Sequence, residues 1–462
     1  MISGCTETTN GTLYDFPVVT GLDLSRVTVN QAVDIPIMVD FENPKGNEAN
    51  IITGREALVR AFVEPQDGWN PRWVSARLNL SSAEGSASYQ DLKFIEGSST
   101  APNLDTSLNF RVAGEDIHLD TVFEVSLHEG TPWTRDNGGS EKTSWSSEGA
   151  GGFEIEEGGT IKVVIVPIRY NADGSGRLPV LTDKQVSRYE ELISALYPLK
   201  KLKLKVDDPY DVSYRIDPFG SGWYELLGEL AWMRALADEE DNTYYYGLFS
   251  PDVSLDRYCA SGCILGLSNV GTTNDAWSRS SIGLGFKGEN SAETMVHEIG
   301  HAHGREHSPC GLFGQPSDPD YPHSEATLGV WGWDRRNNEM RKPADNLDMM
   351  SYCYPLWISD YTYAALTRRV RVLNRDNRSA DLGMWALSVV RGDGSIHTVG
   401  DIPVSAMPSG TPTPVALWDQ DGEQIGTTEG YLTPLSHLPG GMLVHPVTTH
   451  EYHRATLVQA QP

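Results

Sequence analysis

Between Val27 and Leu127 the chain runs in short segments that alternate apolar and polar positions, among them 57–63 (ALVRAFV) and 123–127 (FEVSL), separated by proline, glycine and asparagine. Alternation with a period of two buries one face of a strand, so this pattern predicts an N-terminal antiparallel β-sandwich over residues 21–130, behind a tail at 1–20. From Thr131 to Gly152 the chain is rich in Gly, Ser and Thr and poor in aliphatics, which reads as a linker over 131–158.

The pattern then changes. Residues 161–168 (IKVVIVPI) are apolar on both faces, as a central strand covered by helices requires. Thr182 and Gln185 form a capping-box pattern ahead of Val186, Tyr189, Leu192, Ile193 and Leu196, whose spacing makes one helical stripe that Pro198 ends. Further elements follow: a helix over 223–237, strands over 244–249 and 282–286, a helix capped by Asn290 and Glu293 and ended by Gly304, and a last helix begun by Ser359 or Asp360 and carrying Tyr363, Leu366 and Val370. Beyond Asn374 short strands return, for example 385–390 (WALSVV), with turns at 392–394 and 419–422. The fold predicted is multidomain: an α/β unit at 159–375 flanked by N-terminal and C-terminal β-sandwich domains, the latter at 376–462. The Asp-Gly turns, with 171–176, read as hairpin chemistry; calcium there is possible but unsupported, because no run continues into a spaced acidic loop.

Candidate chemistry is concentrated in His297-Glu298-Ile299-Gly300-His301-Ala302-His303-Gly304-Arg305-Glu306-His307. On a helix, His297 and His301 project from one face and can reach a single ion about 2.1 Å away. Glu298 is placed to take a proton from a zinc-bound water rather than to bind the metal. Gly304 can turn the chain back in a left-handed conformation, which brings His307 round as a third ligand and leaves a fourth position open. His303 leaves the helix on another face and reads as structural.

The spacing His-Glu-x-x-His-x-x-Gly-x-x-His, followed by Asp348-Met349-Met350-Ser351-Tyr352, resembles the metzincin zinc endopeptidases of secreted bacterial type, whose methionine turn lies beneath the metal. The resemblance implies an α/β metzincin catalytic domain at 159–375, one catalytic Zn2+ held by His297, His301 and His307, and Glu298 as general base for peptide hydrolysis. It implies an apolar floor made by Met350, with Met349 as the other register. Tyr352 takes either a role beside the transition state or a place as a packed tyrosine.

Five cysteines are present: Cys5, Cys259, Cys263, Cys310 and Cys353. Four allow three pairings or free thiols; in a metzincin Cys310 and Cys353 would both lie near the zinc, and the expected disulfides are Cys259 with Cys263 and Cys310 with Cys353. The opening Met1-Ile2-Ser3-Gly4-Cys5 is similar to the end of a bacterial lipoprotein signal, which makes Cys5 a candidate lipid anchor.

A net charge of -27 argues against nucleic acid and anionic membrane surfaces as partners. A mean hydropathy of -0.36 and the absence of a long apolar run argue against a transmembrane segment. The expected partner is a protein or peptide substrate, the expected state a monomer, and the expected location extracytoplasmic, either secreted or as a cell-surface lipoprotein. Two other readings remain: a surface binding or adhesion protein on a metzincin scaffold, and a zinc hydrolase of a non-peptide amide.

Overall fold

The computed structural model describes residues 16–131, 140–312, 314–375, 382–447 and 452–458. Cys5 and part of the expected linker lie outside the described residues.

Two antiparallel sheets form the N-terminal part. One contains Leu22–Gln31, Val33–Val39, Ala57–Pro65 and Leu108–Val112; the other contains Arg72–Ser82, Gly85–Ile95, Val122–Glu129 and Ser144–Ser146. Alternate residues of both turn inward: Leu78, Val125 and Leu127 from one sheet and Val27, Val29 and Val59 from the other lie in one buried apolar cluster. The first sheet is completed by strands far away in sequence. The hairpin Gly332–Asp334 and Glu339–Arg341 joins its edge, pairing Gly332 with Val33. Trp333 donates from its backbone to the Ala32 carbonyl at 3.0 Å, and Trp357 from its indole to the same carbonyl at 2.8 Å. This segment, expected within the α/β unit at 159–375, therefore supplies part of the N-terminal sheet.

The central sheet has the order Leu199–Val206, Gly159–Tyr170, Thr243–Phe249, Ser280–Leu284 and Gly266–Ser268. All neighbours are parallel except the last pair, so Gly266–Ser268 is an antiparallel edge strand. The helix Asp183–Leu196 begins as expected, with the Thr182 hydroxyl accepting from the Gln185 N–H. The second half of the capping box does not form. Instead the Gln185 amide spans to Gly288, accepting from its N–H at 3.1 Å and donating to its carbonyl at 3.0 Å. Gly288, with φ of 132°, is the N-cap of the histidine helix Glu289–Ala302, and no side chain caps it, which corrects the expected Asn290 and Glu293 cap.

The helix Trp223–Leu236 is apolar almost all round because it is covered on two sides. One side packs on the central sheet through Leu230, and on the other Gly228 lies against Val389 and Val399 of the C-terminal region. The six strands of that region, Met384–Val390, Ile396–Pro403, Thr411–Trp418, Gln424–Pro434, Gly441–Pro446 and Arg454–Leu457, belong to one continuous antiparallel sheet, where a sandwich of two sheets was expected. One face packs on the helix: Trp385, Leu387, Val389, Met442 and Val444 share a buried cluster with Leu226, Leu227 and Leu230. The other face closes on itself, with Val390, Val415, Leu417, Leu443 and Ala455 in a separate apolar cluster. In the turns, Asp393 and Asp419 accept backbone N–H groups of their own turns, at 2.9 Å from Ser395 and 3.0 Å from Asp421, and Asp173 does the same for Ser175 at 3.0 Å. No helix among the described residues is long and apolar enough to cross a membrane.

Candidate metal centre

The helix Glu289–Ala302 presents His297 and His301 on one face, and a tight C-terminal turn returns the chain to bring His307 beside them. Gly304, with φ of 83°, is the pivot. Its N–H reaches the His301 carbonyl at 2.7 Å while the Arg305 N–H reaches the Gly300 carbonyl at 3.0 Å, the paired bonds of a Schellman termination. A Cβ at Gly304 would also come 2.7 Å from the Gly271 carbonyl.

The three imidazoles converge by their Nε2 atoms. His301 Nε2 lies 3.0 Å from His297 Nε2 and 3.1 Å from His307 Nε2. The other nitrogens are committed elsewhere: His297 Nδ1 to the Met349 carbonyl at 2.7 Å, His301 Nδ1 to the Arg305 carbonyl at 2.6 Å, and His307 to the Pro316 backbone. A carbonyl only accepts, so each imidazole carries its proton on the side away from the cluster and turns a lone pair inward. Burial pushes all three pKa values down, that of His307 to about 2, and the neighbouring imidazoles push in the same direction on His301 and His307. Three neutral rings with facing lone pairs repel one another unless a cation lies between them. The donor set therefore fits a metal ion.

Beneath the helix lies the methionine turn. Met350 is 1 % exposed, and a Cβ on Gly300 would fall on its sulfur, so glycine inside the motif is what admits the methionine. Met349 contributes its carbonyl to His297. Asp348, fully buried, holds the turn together: its carboxylate accepts from the Met350 N–H at 2.9 Å, the Ser359 N–H at 2.9 Å and the Ser308 hydroxyl at 3.3 Å. The Cys310–Cys353 disulfide ties the histidine loop to this turn, and Cys259–Cys263 closes the loop before the edge strand; both pairs are as expected. His303 stays apart, stacked on Tyr244 at 4.5 Å with Nδ1 on the Ile299 carbonyl at 2.9 Å.

Glu298 is 1 % exposed and sits beside the cluster. Tyr352 lines the same cleft, its ring centroid 4.9 Å from that of His307 and its hydroxyl 3.0 Å from Gln315 Oε1. The cleft, of about 290 Å3, is bounded by Cys263 to Gly266, Thr294, Glu293, Leu356 and Tyr354. A fourth histidine, absent from the sequence reading, completes the group: His437, whose ligand atom lies with those of the other three within a 4.8 Å span. Nothing in its local sequence marks it, because it comes from the turn after Gln424–Pro434 in the C-terminal sheet.

A cleft with a three-imidazole metal site and an adjacent buried carboxylate defines a metal-dependent hydrolase. Residues 253–353 match the model of the family Peptidase M66, and this stretch contains both disulfides, the edge strand, the histidine helix and the methionine turn. The match supports a metallopeptidase. No curated protein matches the chain. Among solved structures, metalloproteinase-II from Bacteroides fragilis is 13% identical over 69% of this chain and 83% of that one, with a TM-score of 0.24. A putative beta-galactosidase from Bacteroides fragilis is 10% identical over 50% of this chain and 39% of that one, with a TM-score of 0.12. At TM-scores this low neither likeness bears on the fold.

Proposed function

We propose that the chain is a zinc endopeptidase of the metzincin type, with His297, His301 and His307 as ligands, Glu298 as general base and Met350 as the floor of the site. The observation that supports this most directly is the set of three inward lone pairs at 3.0 and 3.1 Å spacing, each ring fixed from behind by a backbone carbonyl. Bound there, zinc would supply Lewis acidity, polarising the scissile carbonyl and acidifying the attacking water. Glu298 accepts that water's proton and passes it to the departing amine. Tyr352, whose pKa is pushed up chiefly by burial, keeps its hydroxyl proton and can donate to the oxygen on which charge develops. Cys263 to Gly266 line the cleft beside the metal group, where an extended peptide would run along them, and Leu356 and Met349 offer apolar contact to its side chains. An extracytoplasmic setting suits the two disulfides and is part of the proposal, as is lipid anchoring at Cys5.

The test is a peptide-library digestion with metal analysis of wild type and Glu298→Ala. Wild type is expected to carry one zinc and cleave; the variant is expected to keep the zinc and lose at least about 100-fold in kcat. A wild type that binds zinc and cleaves no peptide would sink the endopeptidase reading in favour of a binding protein or an amide hydrolase of another kind.

A further inference from the structure

The turn that carries His437 is docked on the active-site sheet as an added strand. The Val270 N–H donates to the Pro434 carbonyl at 3.0 Å and the Ser436 N–H to the Ser268 carbonyl at 2.9 Å, with Asn269 and Leu435 bridged between them. The Ser268 N–H also donates to the Ser436 hydroxyl at 3.0 Å. These bonds continue the outer side of the edge strand Gly266–Ser268 just past its end, and so aim the next two side chains at Glu298. His437 Nε2 lies 2.8 Å from Glu298 Oε1, and the Ser436 hydroxyl donates to Glu298 Oε2 at 3.2 Å. His437 Nδ1 pairs with the Tyr352 hydroxyl.

Both nitrogens of His437 are thus engaged by groups other than a metal. The other three histidines differ on this point, since each ties one nitrogen to backbone and leaves the second for the cluster. We propose that His437 is a positioning residue: the C-terminal sheet reaches across the chain to fix the orientations of Glu298 and Tyr352 beside the metal, without ligating it. The inference rests on the endopeptidase reading and extends it, because it makes the C-terminal sheet a structural part of the active centre. A carboxylate held on both oxygens by neighbours from one turn has little rotational freedom, and fixing such a partner group is worth roughly 10–100-fold in activity at metal sites.

The experiment uses the full chain with His437→Ala, His437→Gln and the wild type. Gln places an amide nitrogen near the Nε2 position and can keep the bond to Glu298 while giving up Tyr352. Zinc affinity, acetohydroxamate affinity of the zinc-loaded protein, peptide cleavage and thermal melting are measured on each. For His437→Ala the zinc Kd is expected to stay within about threefold of wild type, kcat to fall about 10–100-fold with KM little changed, and acetohydroxamate to bind about tenfold more weakly, since its proton is accepted by a correctly held Glu298. His437→Gln is expected to recover part of the loss at an unchanged melting temperature, which a merely structural role would not produce. A zinc Kd weakened about 100-fold or more would make His437 a fourth ligand and overturn the proposal. Unchanged kcat and hydroxamate binding would overturn it too. If the wild type cleaves no peptide, the endopeptidase reading fails separately, and the two affinities still decide the role of His437.

Discussion

At the scale of single residues, the site depends on positions that put no atom on the metal. Gly304 is one. An alanine there must take a left-handed conformation and push on the Gly271 carbonyl, at a cost of about 1–3 kcal/mol. Because the turn also places His307, Gly304→Ala is expected to lower the melting temperature and weaken zinc binding together; a variant that melts lower while keeping the wild-type zinc Kd would separate the two effects and refute the coupling. His437 shows the opposite relation between sequence and structure. The motif histidines were legible because helix periodicity and one glycine bring them together within eleven residues, whereas His437 meets Glu298 across 139 positions of chain. Only the paired backbone of two separate sheets brings them together, and no local spacing encodes that. Asp348 was missed for a related reason: its work is done on backbone N–H groups, which leave no trace in residue types.

At the scale of elements, periodicity identified strands and helices well and their partners poorly. The apolar stripe of Asp183–Leu196 and the two-faced strand Gly159–Tyr170 were both readable. The C-terminal strands were readable as strands, but alternation does not say what covers each face: one packs on the helix Trp223–Leu236, and the other closes over an apolar cluster of the sheet's own. The hairpin at 332–341 has strands of only three residues, too short for alternation to mark. Its anchor is Asp334, fully buried and paired with Arg336 at 2.9 Å and Arg341 at 2.7 Å. Burial opposes its ionisation, but the two guanidinium groups outweigh burial and hold the pKa below the usual 3.8. The sign follows from linkage: a depressed folded-state pKa adds stability above the unfolded value, and that stability is lost as pH falls below 3.8 through the lower folded value. Asp334→Asn is therefore expected to cost about 1–3 kcal/mol at pH 7 and much less at low pH. Urea titrations at both pH values check it, and a difference that stays constant with pH counts against the ion-pair account.

At the scale of the whole molecule, the cleft lies between the edge of the central sheet, the histidine helix, the methionine turn and the turn that carries His437. The N-terminal sheets, the helix Asp183–Leu196 and the histidine helix share a single apolar cluster, so the flanking parts are packed continuously with the centre. Across the cleft the Cys310–Cys353 disulfide spans 43 positions and joins the histidine loop to the methionine turn. A cross-link closing a loop of that length is worth about 4 kcal/mol in the chain-entropy model. Replacing both cysteines by serine is expected to lower stability by about 2–4 kcal/mol and to speed zinc release, measured by chemical denaturation and by transfer of zinc to a chelating dye. Zinc release at the wild-type rate in the double-serine variant would show that the loop holds its shape without the link.

The helix Trp223–Leu236, apolar toward both of its neighbours, has a consequence for how the chain is made. It leaves the ribosome well before residues 384–446, which cover its outer side. Until those strands arrive, Leu226, Leu227 and the Gly228 groove lie bare on an otherwise finished body. A product stopped before Met384 would thus present a bare apolar face prone to aggregation and would lack His437, so the contacts proposed to hold Glu298 form only after residues 384–446 have been made.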